Sequence, residues 1–362
     1  MQRERIGVGI YQSCIRQASM SARRCEALRA CMPQRLLLFL LLPAAALALS
    51  PAPAHSQVPA AAHPQAPFVP TPPDVVHRML TLAKTGPNDY VIDLGSGDGR
   101  IVREAARSFG ARGFGVEHDP ELVARSQELA RREGVSDKVA FMAQDLFQTD
   151  LADATVVTMY LFPAINLKLR PRLLAQLKPG TRIVSHDFDM ADWAPDATAK
   201  LYSKEKYGAT GGESTIYLWF VPADVAGRWT WRLEIGGQPI DYELTAAQRF
   251  QKVDATLRVG GQARPVQDVR LQGDRISFTV VGEIKGSTVR QEFSGRASGD
   301  GIHGSVILSG PRMQGAADWA AQRSERASRP AGALAPASRI TGALAPASRI
   351  TGALAPASRI IG

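Results

Sequence analysis

At 362 residues and 45% hydrophobic content, the chain is long enough for two modest domains and has the composition of a globular protein, not of a disordered or fibrous one. Its net charge of +9 sits at the ends, since residues 1–56 and 322–362 each carry +5 and leave −1 between them. A basic nucleic-acid-binding face is therefore not indicated.

Arg35 precedes the apolar run Leu36 to Leu49, which has about the length of a signal-peptide core and is short for crossing a bilayer. Small residues at Ala54-His55-Ser56 suit cleavage before Gln57, and a start at Met32 would give a signal of ordinary length, leaving residues 1–31 outside the translated chain. Cys14, Cys25 and Cys31 all precede Met32, so the mature chain would hold no thiol, which permits an oxidising compartment. The expectation is an exported, envelope-associated (periplasmic) protein with membrane attachment through 36–49 as an option; the alternative is an uncleaved anchor on a protein facing the cytoplasm. Residues 57–67 are rich in proline and alanine and read as a linker.

From Phe68 to about residue 222 strand and helix patterns alternate, which predicts a parallel sheet covered by helices. Val75, Val76, Met79, Leu80 and Ala83 share one face of a helix over 74–84, and Leu122, Leu129 and Ala130 share a face of one over 120–132. Between them, Tyr90-Val91-Ile92-Asp93-Leu94 is a buried strand that breaks into Gly95-Ser96-Gly97-Asp98-Gly99 and then a helix over 101–109. An acid ends the next strand, Glu117, 24 positions beyond Asp93, a spacing that suits a ribose diol. Asp145 follows the third strand-like run. Three acids at three strand ends, with no lysine in the glycine loop to hold phosphates, fit a cationic, phosphate-free nucleoside such as S-adenosylmethionine better than NAD or ATP. Residues 214–221 read as a closing strand.

Beyond Gly227 the period changes to two. Trp229, Trp231, Leu233 and Ile235 alternate with polar residues, and short runs at 253–259, 269–271, 276–281, 291–297 and 302–308 are separated by Gly-Gly, Gly-Asp and Gly-Asp-Gly turns. That pattern predicts an antiparallel sandwich or barrel over 223–321. Residues 322–362 contain a ten-residue repeat beginning Gly332-Ala333-Leu334-Ala335-Pro336 and read as disordered.

The ordered set Pro67-Phe68-Val69-Pro70-Thr71-Pro72, Asp93-Leu94-Gly95-Ser96-Gly97-Asp98-Gly99-Arg100, Gly115-Val116-Glu117, Asp145-Leu146-Phe147, Thr158-Met159-Tyr160-Leu161-Phe162 and Leu177-Lys178-Pro179-Gly180 resembles the class I (seven-β-strand) methyltransferases. Within them it is similar to the group holding the archaeal broad-specificity protein lysine methyltransferase and its mitochondrial relatives. The resemblance implies a Rossmann-like α/β sheet, S-adenosyl-L-methionine as cofactor, and a protein lysine as acceptor, with a small-molecule or lipid-like acceptor, or a non-catalytic adenosine-ligand-binding protein, as alternatives. It places Asp93, Gly95 and Gly97 at the methionine end, Glu117 at the ribose, Asp145 and Leu146 at the adenine, and Pro70 and Thr71 over the cofactor. The all-β part resembles the lipocalin-like modules of exported bacterial proteins.

Methyl transfer to nitrogen requires a neutral amine aligned with the sulfonium carbon. Many enzymes that methylate bases or amides place an Asn/Asp-Pro-Pro-Tyr/Phe clamp after the fourth strand; here Tyr160-Leu161-Phe162 follow instead, so Tyr160 and Phe162 are the expected walls of an apolar acceptor channel. His186 is the candidate for acceptor contact or proton relay, and Asp187 and Asp189 for attracting a cationic acceptor. His186 has no histidine or cysteine neighbour in sequence, so no metal site is expected.

Overall fold

The computed structural model describes residues 68–327. The expected signal or anchor over 1–56, the linker over 57–67 and the repeat from Gly332 lie outside the described residues. Among the described residues no helix is long and apolar enough to cross a membrane.

The first part is built from α1 (Pro73–Leu82), β1 (Tyr90–Leu94), α2 (Arg100–Phe109), β2 (Arg112–Glu117), α3 (Pro120–Arg132), β3 (Val139–Ala143), β4 (Val156–Met159), α4 (Pro163–Gln176), β5 (Arg182–His186), β6 (Ala197–Ser203) and β7 (Gly212–Phe220). The seven strands form one sheet in the order β3-β2-β1-β4-β5-β7-β6, with β7 antiparallel to both of its neighbours. The chain order reverses between β1 and β4, so the carboxyl ends of β1, β2 and β4 open on one crevice where a ligand can reach several strand ends.

Local sequence explains most of these elements. Asp119 caps α3 by accepting a hydrogen bond from the Glu121 amide at 2.8 Å, Pro120 follows at the first helical position, and Arg131 and Arg132 end the helix against its dipole. The buried face of α3 is Val123, Ser126 and Ala130, not the expected face centred on Leu122 and Leu129, because α3 leans its small Ser126 against the glycine turn. The strand β6 carries only a weak signal: of its inward positions Ala197, Ala199, Leu201 and Ser203, Leu201 alone has a large apolar side chain.

The second part is a single antiparallel sheet of β8 (Gly227–Ile235), β9 (Gln238–Arg249), β10 (Lys252–Val259), β11 (Gln262–Arg264), β12 (Val266–Gln272), β13 (Arg275–Ile284), β14 (Ser287–Ser298), β15 (Gly301–Gly310) and β16 (Met313–Arg326). Pairing of β16 with β8 turns the meander into a nearly closed barrel. Its interior is filled by Trp231, Tyr242, Phe278, Phe293 and Trp319, whose nearest rings stack with centroids 4.8 Å apart. The ordered β domain runs to Arg326 and not only to residue 321, since Gln322 and Arg323 pair with Thr230 and Trp229 and the Arg323 guanidinium lies over the Trp229 ring at 4.3 Å.

Candidate active site

The turn after β1 is held open by backbone geometry that side chains resist. Gly95, Gly97 and Gly99 have φ of 76°, 55° and 75°. At Gly97 an added Cβ would lie 2.2 Å from the Phe68 ring, because the entering segment Phe68–Pro72 arches over the turn. Thr71 is the buried member of that arch, and its carbonyl accepts a hydrogen bond from Arg100 Nη1 at 3.0 Å. Asp98 grips Arg100 through its Nε and Nη2 at 2.9 and 2.8 Å; burial alone would raise this carboxyl, yet the Arg100 guanidinium outweighs it and holds it below the usual range. From the other side Ser126 Oγ donates to the Gly97 carbonyl at 3.1 Å.

Two acids meet at this turn. Asp93, one residue before the end of β1, is 2% exposed, and its Oδ1 accepts the Thr158 hydroxyl proton at 2.7 Å. Burial pushes its carboxyl up to about 7, assisted by the negative Glu117 and Asp98, while the Thr158 bond opposes the rise. Glu117 ends β2 and reaches back across the turn, where Oε2 accepts the Gly97 N–H at 2.8 Å and Oε1 accepts the His118 N–H at 2.7 Å. The half-buried Asp145 caps the short turn Leu146–Gln148 by accepting the Phe147 N–H at 2.8 Å, and Leu146 beside it packs against the sheet's core.

Across the crevice, beyond β4 and β5, lies an aromatic ledge. Tyr160, half buried, stacks on Phe188 at 6.0 Å, and the exposed Phe162 packs against the same ring at 5.9 Å. Phe188 lies two residues past the end of β5, a strand-end position that sequence reasoning passed over in favour of His186. His186 itself is fully buried behind Tyr160, with ring centroids 4.0 Å apart, and both of its nitrogens are engaged, Nδ1 with Thr71 Oγ1 at 3.3 Å and Nε2 with Ser214 Oγ at 2.9 Å. Burial pulls its pKa down to about 4, with the Lys206 ammonium adding to the fall. The structure therefore corrects the expectation that His186 meets the acceptor: enclosed and neutral, it ties the Thr71 arch to β7 and backs the Tyr160 ring. Asp187 is also committed, accepting from Lys206 Nζ at 2.6 Å and from the Thr215 N–H at 3.0 Å. Lys206 and Ser214 belong to the β6–β7 hairpin and had no local signal. Among the described residues no cluster of metal-binding side chains occurs.

A glycine turn, an acid at the end of β2 bonded across it, a buried acid at the end of β1, and the strand order above define a class I methyltransferase. The residues present suit S-adenosylmethionine, because the buried Asp93 has no cationic partner of its own and Ser96 Oγ is buried without a partner beside it. The model of the ANTKMT methyltransferase domain matches residues 93–197. A protein-lysine N-methyltransferase of Saccharolobus islandicus is 42% identical over 155 residues, 42% of this chain and 92% of that one. The mouse adenine nucleotide translocase lysine N-methyltransferase is 36% identical over 40% of this chain, which spans 57% of that relative's length. A Salinibacter ruber RNA methyltransferase crystallised with S-adenosyl-L-homocysteine is 52% identical, over 43% of this chain and 96% of that one, with a TM-score of 0.40. The chain belongs to the S-adenosylmethionine-dependent protein-lysine methyltransferase family. The family's model runs from the end of β1 through β5 and stops at residue 197, where β6 begins; β7 and the barrel lie beyond it.

Proposed function

We propose that the chain transfers a methyl group from S-adenosylmethionine to a lysine side chain of a protein. The carrying observation is the Glu117 carboxylate bonded across the glycine turn beside the buried Asp93. Bound in the crevice, the cofactor supplies a sulfonium methyl open to in-line displacement. Asp93, Gly95 and Gly97 frame its methionine end, Glu117 takes the ribose hydroxyls, Asp145 and Leu146 meet the adenine, and Pro70 and Thr71 cover it. Tyr160, Phe162 and Phe188 form the wall along which an aliphatic lysine stem lies. A lysine amine with a reference pKa of about 10.4 reacts only when neutral, and the apolar ledge favours that form by withholding water. The names of the relatives support lysine as the acceptor.

Calorimetric titration of the cofactor into the full chain tests the first half. Binding weakened about 10- to 100-fold in Glu117→Ala is expected, the cost of losing charge-assisted hydrogen bonds. Incubation with methyl-labelled cofactor and mixed cellular protein tests the second: label in methyl-lysine supports it, and intact binding with no label in protein overturns it. We also propose an envelope location, for which the apolar run at 36–49 is the support; an N-terminus found at Gln57 would bear it out, and recovery of the uncleaved chain in the cytoplasmic fraction would not.

A further inference from the structure

The barrel sets one hairpin against the first sheet's core. Phe250, at the turn between β9 and β10, is partly buried and packs against the hydrophobic cluster that holds Met190, Trp193 and Trp219, all of which belong to the methyltransferase part. Its ring stacks on Trp193 at 5.5 Å and 13°, and the Arg170 guanidinium of α4 covers it at 5.4 Å. The turn accepts backbone strain to do so, since Phe250 has φ of 55°, a left-handed value that residues other than glycine rarely adopt. Next to it Gln251 makes two bonds to the same loop: Oε1 accepts from Trp193 Nε1 at 3.0 Å, and Nε2 donates to the Ala194 carbonyl at 2.6 Å. Arg249 adds an ion pair to Asp192 at 2.7 Å.

The ring stack, the guanidinium contact, both Gln251 bonds and the Arg249 ion pair all land on α4 or on residues 190–194, the loop that leaves Phe188. The loop's other supports come from within the methyltransferase part. Asn166 Nδ2 donates to the Phe188 carbonyl at 3.2 Å, Arg170 Nη1 to the Met190 carbonyl at 2.8 Å, and Trp219 Nε1 to the Trp193 carbonyl at 2.8 Å. Arg170 belongs to both sets, because it bonds Met190 while lying over Phe250.

We propose that the β9–β10 hairpin is a positioning device for the acceptor side: through Phe250 and Gln251 the barrel holds residues 188–194 in place and so sets the Phe188 wall. The proposal rests on reading the aromatic ledge as the acceptor's wall. It makes the barrel part of the transferase and not an appendage. The cofactor crevice, at the ends of β1 and β2, receives none of these contacts, so the hairpin acts on the acceptor and leaves cofactor affinity alone.

The test uses the full chain, wild type against Phe250→Ala and Gln251→Ala, with poly-L-lysine as the acceptor probe. Three outcomes together are expected: amide hydrogen exchange across 188–194 accelerates at least tenfold, cofactor affinity measured by calorimetry stays within about twofold, and kcat/KM for poly-L-lysine falls at least tenfold, with Phe250→Tyr restoring most of it. Gln251→Ala keeps the ring stack and serves if Phe250→Ala does not fold. Unchanged exchange, or fast exchange with unchanged transfer, would overturn the proposal. Wild-type protein that binds the cofactor yet never methylates poly-L-lysine would instead sink the lysine reading, and the exchange measurement would still decide whether the hairpin holds the loop.

Discussion

Glu117 Oε2 accepts the Gly97 N–H at 2.8 Å across 20 residues of sequence, so the acid at the end of β2 and the turn at the end of β1 form one unit. The carboxylate is thereby aimed before any ligand arrives, and its ordering entropy is spent in folding. Glu117→Gln keeps an oxygen to accept from Gly97 but gives up the charge and one acceptor. Cofactor affinity should fall about tenfold in Glu117→Gln, less than in Glu117→Ala, as read by calorimetry.

Asp93 gives cofactor binding a pH dependence. Its carboxyl, raised to about 7 by burial, is neutral below that pH and anionic above it. A cationic ligand favours the anion, so affinity should rise by up to about tenfold per pH unit between pH 5.5 and 7 and level off above. Asp93→Asn should bind weakly and without this slope; a flat wild-type profile would remove Asp93 from the ligand's surroundings.

His186 should mark the acid limb of stability. Its folded pKa of about 4 lies below the unfolded value of 6.5, so the unfolded chain takes up the proton first as pH falls. The stabilisation is complete above 6.5 and is lost down to about 4, an amount of at most about 3 kcal/mol. Urea midpoints for wild type and His186→Gln should converge as pH drops from 7 to 4.5. Asp93 titrates in the opposite sense over part of this window, so the comparison belongs in an Asp93→Asn background.

Gly115 tests packing alone. Its φ is not positive, but an added Cβ would lie 2.5 Å from the Phe141 ring, which fills the space between β2 and the turn. Gly115→Ala should cost about 1–3 kcal/mol by denaturant unfolding, and Phe141→Leu should recover part of it in the double variant.

Tyr160 touches His186 and Phe188 with its ring and reaches Asp187 Oδ2 only at 3.4 Å with its hydroxyl. Tyr160→Phe should therefore keep methyl transfer within about threefold, whereas Tyr160→Ala, which takes away the ring contacts, should lower kcat/KM for the acceptor at least tenfold. A large loss in Tyr160→Phe would assign the hydroxyl a chemical part.

The amino-acid sequence alone determined whatever is local or strictly periodic: the buried run of β1 with its glycine turn, the acids at 93, 117 and 145, the bounds of α3 from its Asp-Pro start, and the alternation of Trp229, Trp231, Leu233 and Ile235 that made the second part β. Such signals survive because backbone conformation and burial of one face are written in neighbours three or four apart, or two apart in a strand. Tertiary structure alone decided that His186 is enclosed and Phe188 forms the ledge, that β6 pairs at the sheet's edge despite its weak apolar alternation, and that Phe250 packs against a core belonging to the other part. Each of those depends on contacts between segments tens of residues apart, where a side chain's surroundings follow from which strands become neighbours and not from the residues beside it in the chain.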